Sequence, residues 1–324
     1  ALVNNTTADH NTAVGQGALL ANTTGHSNVA VGANALDANT AGTFNTAVGR
    51  DALSNSTGSE NTAVGGFSMK DNTTGSFNTA FGVSSLQTNT TASNNTAIGR
   101  NALAVNTTGA LNTAVGSLAL DANTTANDNT AVGYSSLGKN TTGASNTAIG
   151  CESMDTNTTG SNNTAVGDRS LVANTTGTQN VAVGSEALDA NTTANSCTAV
   201  GYGALTSNTT ANDNTAVGRK ALNTNSTGLR NTACGKNALF SNTTANHNSA
   251  FGSSALDENT TGSENTAIGY DTLGVSTTGS NNVALGAFSL NANTTASNNT
   301  AIGYESLGAN TTGASNVAVG ANAL

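Results

Sequence analysis

Asn95-Thr96-Ala97-Ile98-Gly99 is the stretch whose reading decides the fold. The phrase returns nineteen times with small substitutions, starting at Asn11, Asn28, Asn45, Asn61, Asn78, Asn95 and onward to Asn299 and Asn316. The step is 17 residues, broken once by a 16-residue step from Asn45 to Asn61. A fixed period of this length signals a solenoid, in which each unit is one coil that buries its apolar side against its neighbours.

Numbering each unit from its Asn gives seventeen slots. Slot 3 is Ala and slot 5 is Gly in all nineteen units; slot 9 is Leu, or Met at Met69 and Met154. Slot 4 is Val, Ile, Leu or Phe apart from Cys234, and slot 1 is Asn apart from Cys197. Slots 6, 7, 10, 11, 16 and 17 vary freely, and all 27 charged residues (9 Lys and Arg, 18 Asp and Glu) fall in them. Charged groups avoid burial, so these six slots read as solvent-facing and the constant ones as buried or held in turns.

Gly at slot 5 and the Asn-Thr-Thr-Gly tract at slots 12 to 15 mark the changes of direction. Slot 15 alternates between Gly and Ala, as at Gly143 and Ala194, so this turn does not demand a positive φ. Between the turns lie two stretches, slots 1 to 4 and 7 to 11, each of strand length, and helix is disfavoured by Asn, Thr and Gly content and by the apolar spacing. The expected fold is all-β: a parallel β-solenoid with two short strands per coil, running as one continuous array over residues 1–324. About nineteen coils at ~4.8 Å give a rod on the order of 90 Å. In the shortened unit the missing residue is placed near Ser54, in slots 10 and 11. Stacking aligns Asn on Asn at slots 1 and 12, and Thr on Thr at slots 13 and 14, as hydrogen-bonding ladders.

Strand alternation puts slots 2 and 4 on one face and slot 3 on the other. The bulky slot 4 residue is read as pointing into the coil opposite the slot 9 Leu. That gives an expected core of Val14, Leu19, Val48, Leu53, Ile98, Leu103, Val132, Leu137, Ile268 and Leu273. An Ala that never drifts toward a polar residue implies close packing on its side. On this reading other chains supply it, at a subunit-contact face made by Ala13, Ala30, Ala47, Ala97, Ala131, Ala165, Ala199, Ala250 and Ala301.

Composition sets the outer bounds. Aromatics are 3%, charged residues 8%, and Pro is absent. Such a chain resembles disordered low complexity, but a flexible tract has no reason to keep apolar residues in phase nineteen times. Net charge is −9, with no basic stripe or stacking platform for nucleic acid. No apolar run approaches membrane-spanning length. Both ends fall in mid-unit, Ala1 at slot 8 and Leu324 at slot 9, so a segment of a longer, capped protein is expected.

The phrases Asn281-Asn282-Val283-Ala284-Leu285-Gly286, Ser27-Asn28-Val29-Ala30-Val31-Gly32 and Asn94-Asn95-Thr96-Ala97-Ile98-Gly99 resemble the Asn-Ser-Val-Ala-Ile-Gly signature of YadA-like heads in trimeric autotransporter adhesins. The repeat with its Asn-Thr-Thr-Gly extension is also similar to arrays in phage and bacterial tail fibres. The resemblance covers every unit, but the period here is longer and slot 2 prefers Thr to Val. It implies a left-handed β-roll of three identical chains side by side, outside the cell, on its surface or on a virion. The expected function is the structural shaft of a fibre or adhesin, holding a binding tip that meets a host receptor through parts not present here. Rival readings are a surface that binds ice or adheres directly through Thr and Asn ladders, and, least favoured, a polysaccharide lyase.

Chemical motifs give little. Ser136 and Lys139 match Ser-x-x-Lys by chance of slot. His10 and His26 sit in successive coils without a third ligand, and Asp121, Asp128, Asp189 and Asp213 do not reproduce a calcium-loop spacing. Gly15-Gln16-Gly17 and Gly201-Tyr202-Gly203 lack the third glycine and helix of a phosphate site. Cys151, Cys197 and Cys234 occupy different slots, too far apart for a disulfide. No catalytic residue, cofactor or metal is expected. Tyr134, Tyr202, Tyr270 and Tyr304 share slot 6 as scattered surface rings, and tracts such as Asn22-Thr23-Thr24 match glycosylation acceptors.

Overall fold

The computed structural model describes residues 1–324, which divide into two compact units, Ala1–Asn162 and Asn163–Leu324. Both are parallel β-solenoids without helix. The first holds β1 (Thr12–Val14), β2 (Val29–Val31), β3 (Thr46–Val48), β4 (Thr62–Val64), β5 (Thr79–Phe81), β6 (Thr96–Ile98), β7 (Thr113–Val115), β8 (Thr130–Val132) and β9 (Thr147–Ile149). The second holds β10 (Thr164–Val166), β11 (Val181–Val183), β12 (Thr198–Val200), β13 (Thr215–Val217), β14 (Thr232–Cys234), β15 (Ser249–Phe251), β16 (Thr266–Ile268), β17 (Val283–Leu285), β18 (Thr300–Ile302) and β19 (Val317–Val319). Within each unit, consecutive strands pair in parallel and slot for slot, as in Thr96↔Thr113, Ala97↔Ala114 and Ile98↔Val115.

Each coil contains one strand, slots 2 to 4, where Thr, Val and Ile favour extended backbone. The second expected strand does not form. Slots 7 and 9 are in the left-handed region, for example Asn101 at φ 57° and Leu103 at φ 52°, which breaks any extended run through slots 7 to 11. Slot 17 is also left-handed, as at Leu111 with φ 61°. Holding Leu there costs about 1–2 kcal/mol. Burying the same side chain completely, as at Leu103, returns about 1.5–3 kcal/mol, so slot 9 is a net gain. Slot 17 has no such return, because Leu111 is 57% exposed. Leu111→Asn, which tolerates this backbone better, is therefore expected to raise stability by about 0.5–1 kcal/mol in denaturant unfolding.

Hydrogen bonds join coils around the whole perimeter. From the coil starting at Asn95, the amides of Thr96, Leu103 and Thr107 donate forward to the carbonyls of Asn112, Ala119 and Thr124 at 2.9–3.0 Å. In the other direction, the amides of Gly116 and Leu118 donate back to Ile98 and Arg100 at 2.7 and 3.0 Å. Turns outside the sheet are thus tied as firmly as the strands.

The interior is half apolar and half amide. At slot 12, Asn106 Nδ2 donates to Asn89 Oδ1 in the preceding coil (3.1 Å) and to the Gly109 carbonyl (2.8 Å), while its Oδ1 accepts from Asn123 Nδ2 (2.8 Å). At slot 1, Asn95 Nδ2 donates to the same Gly109 carbonyl (2.9 Å), and Asn95 Oδ1 accepts the Asn112 amide (3.0 Å). Both amides are buried, so each ladder satisfies groups that would otherwise be stranded from water. The expected Asn ladders at slots 1 and 12 are present.

Two departures show what the slot 12 ladder does. In the short unit, Ser56 takes the ladder position and accepts from Asn72 Nδ2 at 2.9 Å, while Asn55 lies outside, bonded to Asp71. Thr57 keeps the slot 13 bond, to Thr73, and Asn45 Nδ2 still reaches the Gly58 carbonyl. The residue lost is therefore slot 14, not slot 10 or 11, because the ladder and the two turns beside it hold their register. At Ser276 the same replacement fails: Ser276 Oγ is buried without a partner, and so is Asn259 Oδ1 in the coil before it. Ser276→Asn restores a donor to Asn259, and an increase of about 1–2 kcal/mol in unfolding free energy is expected.

Candidate binding surface on the outward strand face

The strand places its side chains the opposite way round from the sequence reading. Ala30, Ala47, Ala97, Ala131, Ala165, Ala199, Ala250 and Ala301 are 0% exposed within a single chain, and Ala13 in the first strand is partly covered. The methyl groups of those eight are covered by their own chain and are not open to another subunit. The interior is filled by Leu of slot 9, the Ala or Ser of slot 8 and the two Asn ladders, leaving room for only a methyl group at slot 3. Slot 4 therefore faces out. Val14 (58% exposed), Ile98 and Ile268 (both 40%) are exposed, and Val48 and Val132 are half-buried on the surface. The expected core holds only for its slot 9 half: Leu19, Leu53, Leu103, Leu137 and Leu273 are fully buried.

The result is a face carrying two parallel rows, slot 2 and slot 4, with no charged residue in either. In the first unit, slot 2 is Thr without interruption from β3 to β9, in register through Thr46↔Thr62 and on to Thr130↔Thr147. Slot 4 supplies an aliphatic side chain in each of these strands except β5, where Phe81 stands 56% exposed. The second unit is more apolar: Val181, Val283 and Val317 replace Thr, and Phe251 and Cys234 interrupt slot 4. A continuous row of exposed apolar side chains of this kind is a candidate contact surface.

The Thr of slot 13 is disposed differently. Its hydroxyl donates to the slot 13 carbonyl of the next coil, as in Thr107 to Thr124 (3.0 Å) and Thr124 to Thr141 (3.2 Å). Those hydroxyls are engaged in holding the stack. The slot 2 hydroxyls of Thr46 to Thr147 make no hydrogen bond to the protein.

Other sequence candidates are dispersed. Ser136 is fully buried, its Oγ donating to the Ala148 carbonyl (2.9 Å), and Lys139 pairs with Asp155 (3.4 Å). His10 lies beside Asp9, and His26 packs edge-on to Phe44 at 5.2 Å. No three His, Cys, Asp or Glu side chains cluster as a metal site requires. The slot 12 Asn of the interior tracts, such as Asn22, Asn106 and Asn140, is buried and closed to modification of the folded chain, whereas Asn5 and Asn310 in the terminal coils are partly exposed. Tyr134 and Tyr202 are isolated, whereas Tyr270 and Tyr304 flank Phe288 with centroids 5.3 and 6.0 Å apart. Slot 10 is less open than its charges imply. Burial pushes the carboxyls of Asp37, Asp121, Asp189 and Asp257 above the usual carboxylate range. Raised folded-state values of this kind give stability that is present in acid and lost as pH rises through them.

No helix is long and apolar enough to cross a membrane. Comparison with protein-family models gives no match, and no curated protein matches the chain in sequence.

Proposed function

We propose that the chain is a structural shaft, part of an extracellular fibre or surface adhesin that holds a binding tip away from a cell or virion. One observation carries this reading: every interior coil of each unit donates and accepts backbone hydrogen bonds with both neighbours around its perimeter, so length is added coil by coil without new design. The Asn-x-Ala-x-Gly phrase, similar to that of adhesin heads, supports the location. The interior of a coil is filled by side chains of its own chain. Three chains side by side would have to meet on the outward strand face rather than on Ala.

Deleting residues 95–145, three whole 17-residue units, tests the reading in the full-length protein by electron microscopy. The span between the flanking parts is expected to shorten by about 14 Å, three coil rises of ~4.8 Å, with attachment by the tip retained. Loss of attachment at unchanged span would overturn the shaft reading.

A further inference from the structure

We infer that the strand face of β6–β9 binds ordered water at the surface of ice. Here the slot 2 row is Thr96, Thr113, Thr130 and Thr147, and the slot 4 row is Ile98, Val115, Val132 and Ile149. Each row has one side chain per coil, repeated at ~4.8 Å, and the rows lie about 6.7 Å apart, two residues along a strand. This short stretch of sheet is a regular lattice of hydroxyls and methyls without charge or aromatic interruption in its two rows. Water over the methyls has no partner below it and closes into a cage. The neighbouring hydroxyls, which have none of their hydrogen-bonding capacity used by the protein, anchor that cage at fixed intervals. A rigid backbone keeps the interval constant, because each strand is bonded in register to the next.

A second copy of this chain is the competing occupant, and energetics favour water. Covering a hydroxyl without giving it a partner is costly, and four stand in this row. The slot 4 side chains are already half covered by their own sheet, so a dry contact returns only part of the gain of a full aliphatic burial at each. The two effects oppose each other before any association entropy is counted. Ordered water can bond the hydroxyl row and cage the methyl row at once. The Thr residues of slots 13 and 14 do not form such a row, because they are adjacent residues and the slot 13 hydroxyls are already bonded to carbonyls.

The test is thermal hysteresis and inhibition of ice recrystallisation by the whole chain. The wild type is expected to separate melting from freezing and to facet ice crystals. Thr113→Lys/Thr130→Lys, on the outward face, is expected to lose at least about fivefold of the hysteresis while keeping its far-ultraviolet spectrum, because two long charged chains break the lattice. Thr107→Val/Thr124→Val, in slot 13, is expected to keep it. Fluorescently labelled wild-type protein should also adsorb to a growing ice hemisphere, a readout that needs no variant. Absence of both hysteresis and adsorption overturns the inference, as does loss of activity in the slot 13 variant but not the slot 2 variant. Neither outcome touches the shaft, which is tested by length.

Discussion

Gly99→Ala is expected to lower unfolding free energy by about 3 kcal/mol or more, whereas Gly109→Ala leaves it nearly unchanged. Gly99 sits at φ +131°, a region that L residues rarely adopt, and a Cβ there would lie 2.5 Å from the Gly116 carbonyl oxygen. Strain and overlap act together, and neither is relieved locally, since the same geometry recurs in the coils above and below. Gly109 has an equally crowded position, with the Ala126 carbonyl oxygen close to where a Cβ would lie, but its φ is not in that region. Its neighbours settle the outcome: slot 15 is already Ala at Ala92 and Ala126, the coils on either side. Chemical denaturation of the two variants checks the contrast. Equal losses would mean that crowding, not backbone conformation, keeps slot 5 as Gly.

The second large effect is expected at slot 12. Asn106→Asp removes both Nδ2 donations, and the new carboxylate faces Asn89 Oδ1 and the Gly109 carbonyl, two acceptors. A loss of about 4 kcal/mol at neutral pH follows from a buried charge that keeps the Asn123 Nδ2 donor but faces two acceptors. Burial and the facing oxygens raise the folded-state pKa of this Asp above its unfolded value. The protonated form retains one donor, so the loss is smallest in acid, below the unfolded value, and grows as pH rises through the folded value. Asn106→Ser is the milder change, expected to cost about 2 kcal/mol without this pH dependence, because Ser56 and Ser276 already occupy the slot. Stability of N106D that is flat from pH 3 to pH 7 would contradict the buried ladder.

Much of this architecture is legible from residues alone. The period, the Gly of slot 5, the Leu of slot 9 and the two Asn ladders follow from which slots never change. The orientation of the strand does not follow so simply. Alternation says that slots 2 and 4 share a face and that slot 3 has the other, but not which face is inside. Bulk at slot 4 suggests core, and constancy at Ala97 and its equivalents suggests a neighbour; both inferences are inverted. A usable signal was present. Slot 4 ranges in size from Cys234 through Val115 to Phe81, a spread that a close-packed interior does not accept, while slot 3 admits no change at all. Interiors fix volume, and surfaces forgive it.

The missing second strand had weaker signs. Leu at φ near 50° in slot 9 is uncommon and invisible to propensity, since full burial offsets the backbone cost. Slot 7 carries a hint, because Gly17 and Gly203 occur there alongside Asn34, Asn101 and Asn237, the residue types that best tolerate that region. In the short unit, residue counting alone puts the gap beside Ser54, whereas the hydrogen bonds of Asn72 and Thr57 put it at slot 14.

The orientation of the strand is the claim on which the exposed face, the Ala rows and the water-binding inference all rest. The native cysteines test it without mutation. Cys234 is in slot 4 and exposed, whereas Cys197 is in slot 1, fully buried, with its thiol pushed up to about 11 mainly by that burial. Reaction of the folded chain with a maleimide, located by mass spectrometry of its peptides, is expected to modify Cys234 at the rate of a small thiol and to leave Cys197 intact until denaturant is added. Protection of Cys234 in the folded chain would place slot 4 inside the coil or under another subunit, and would contradict the account.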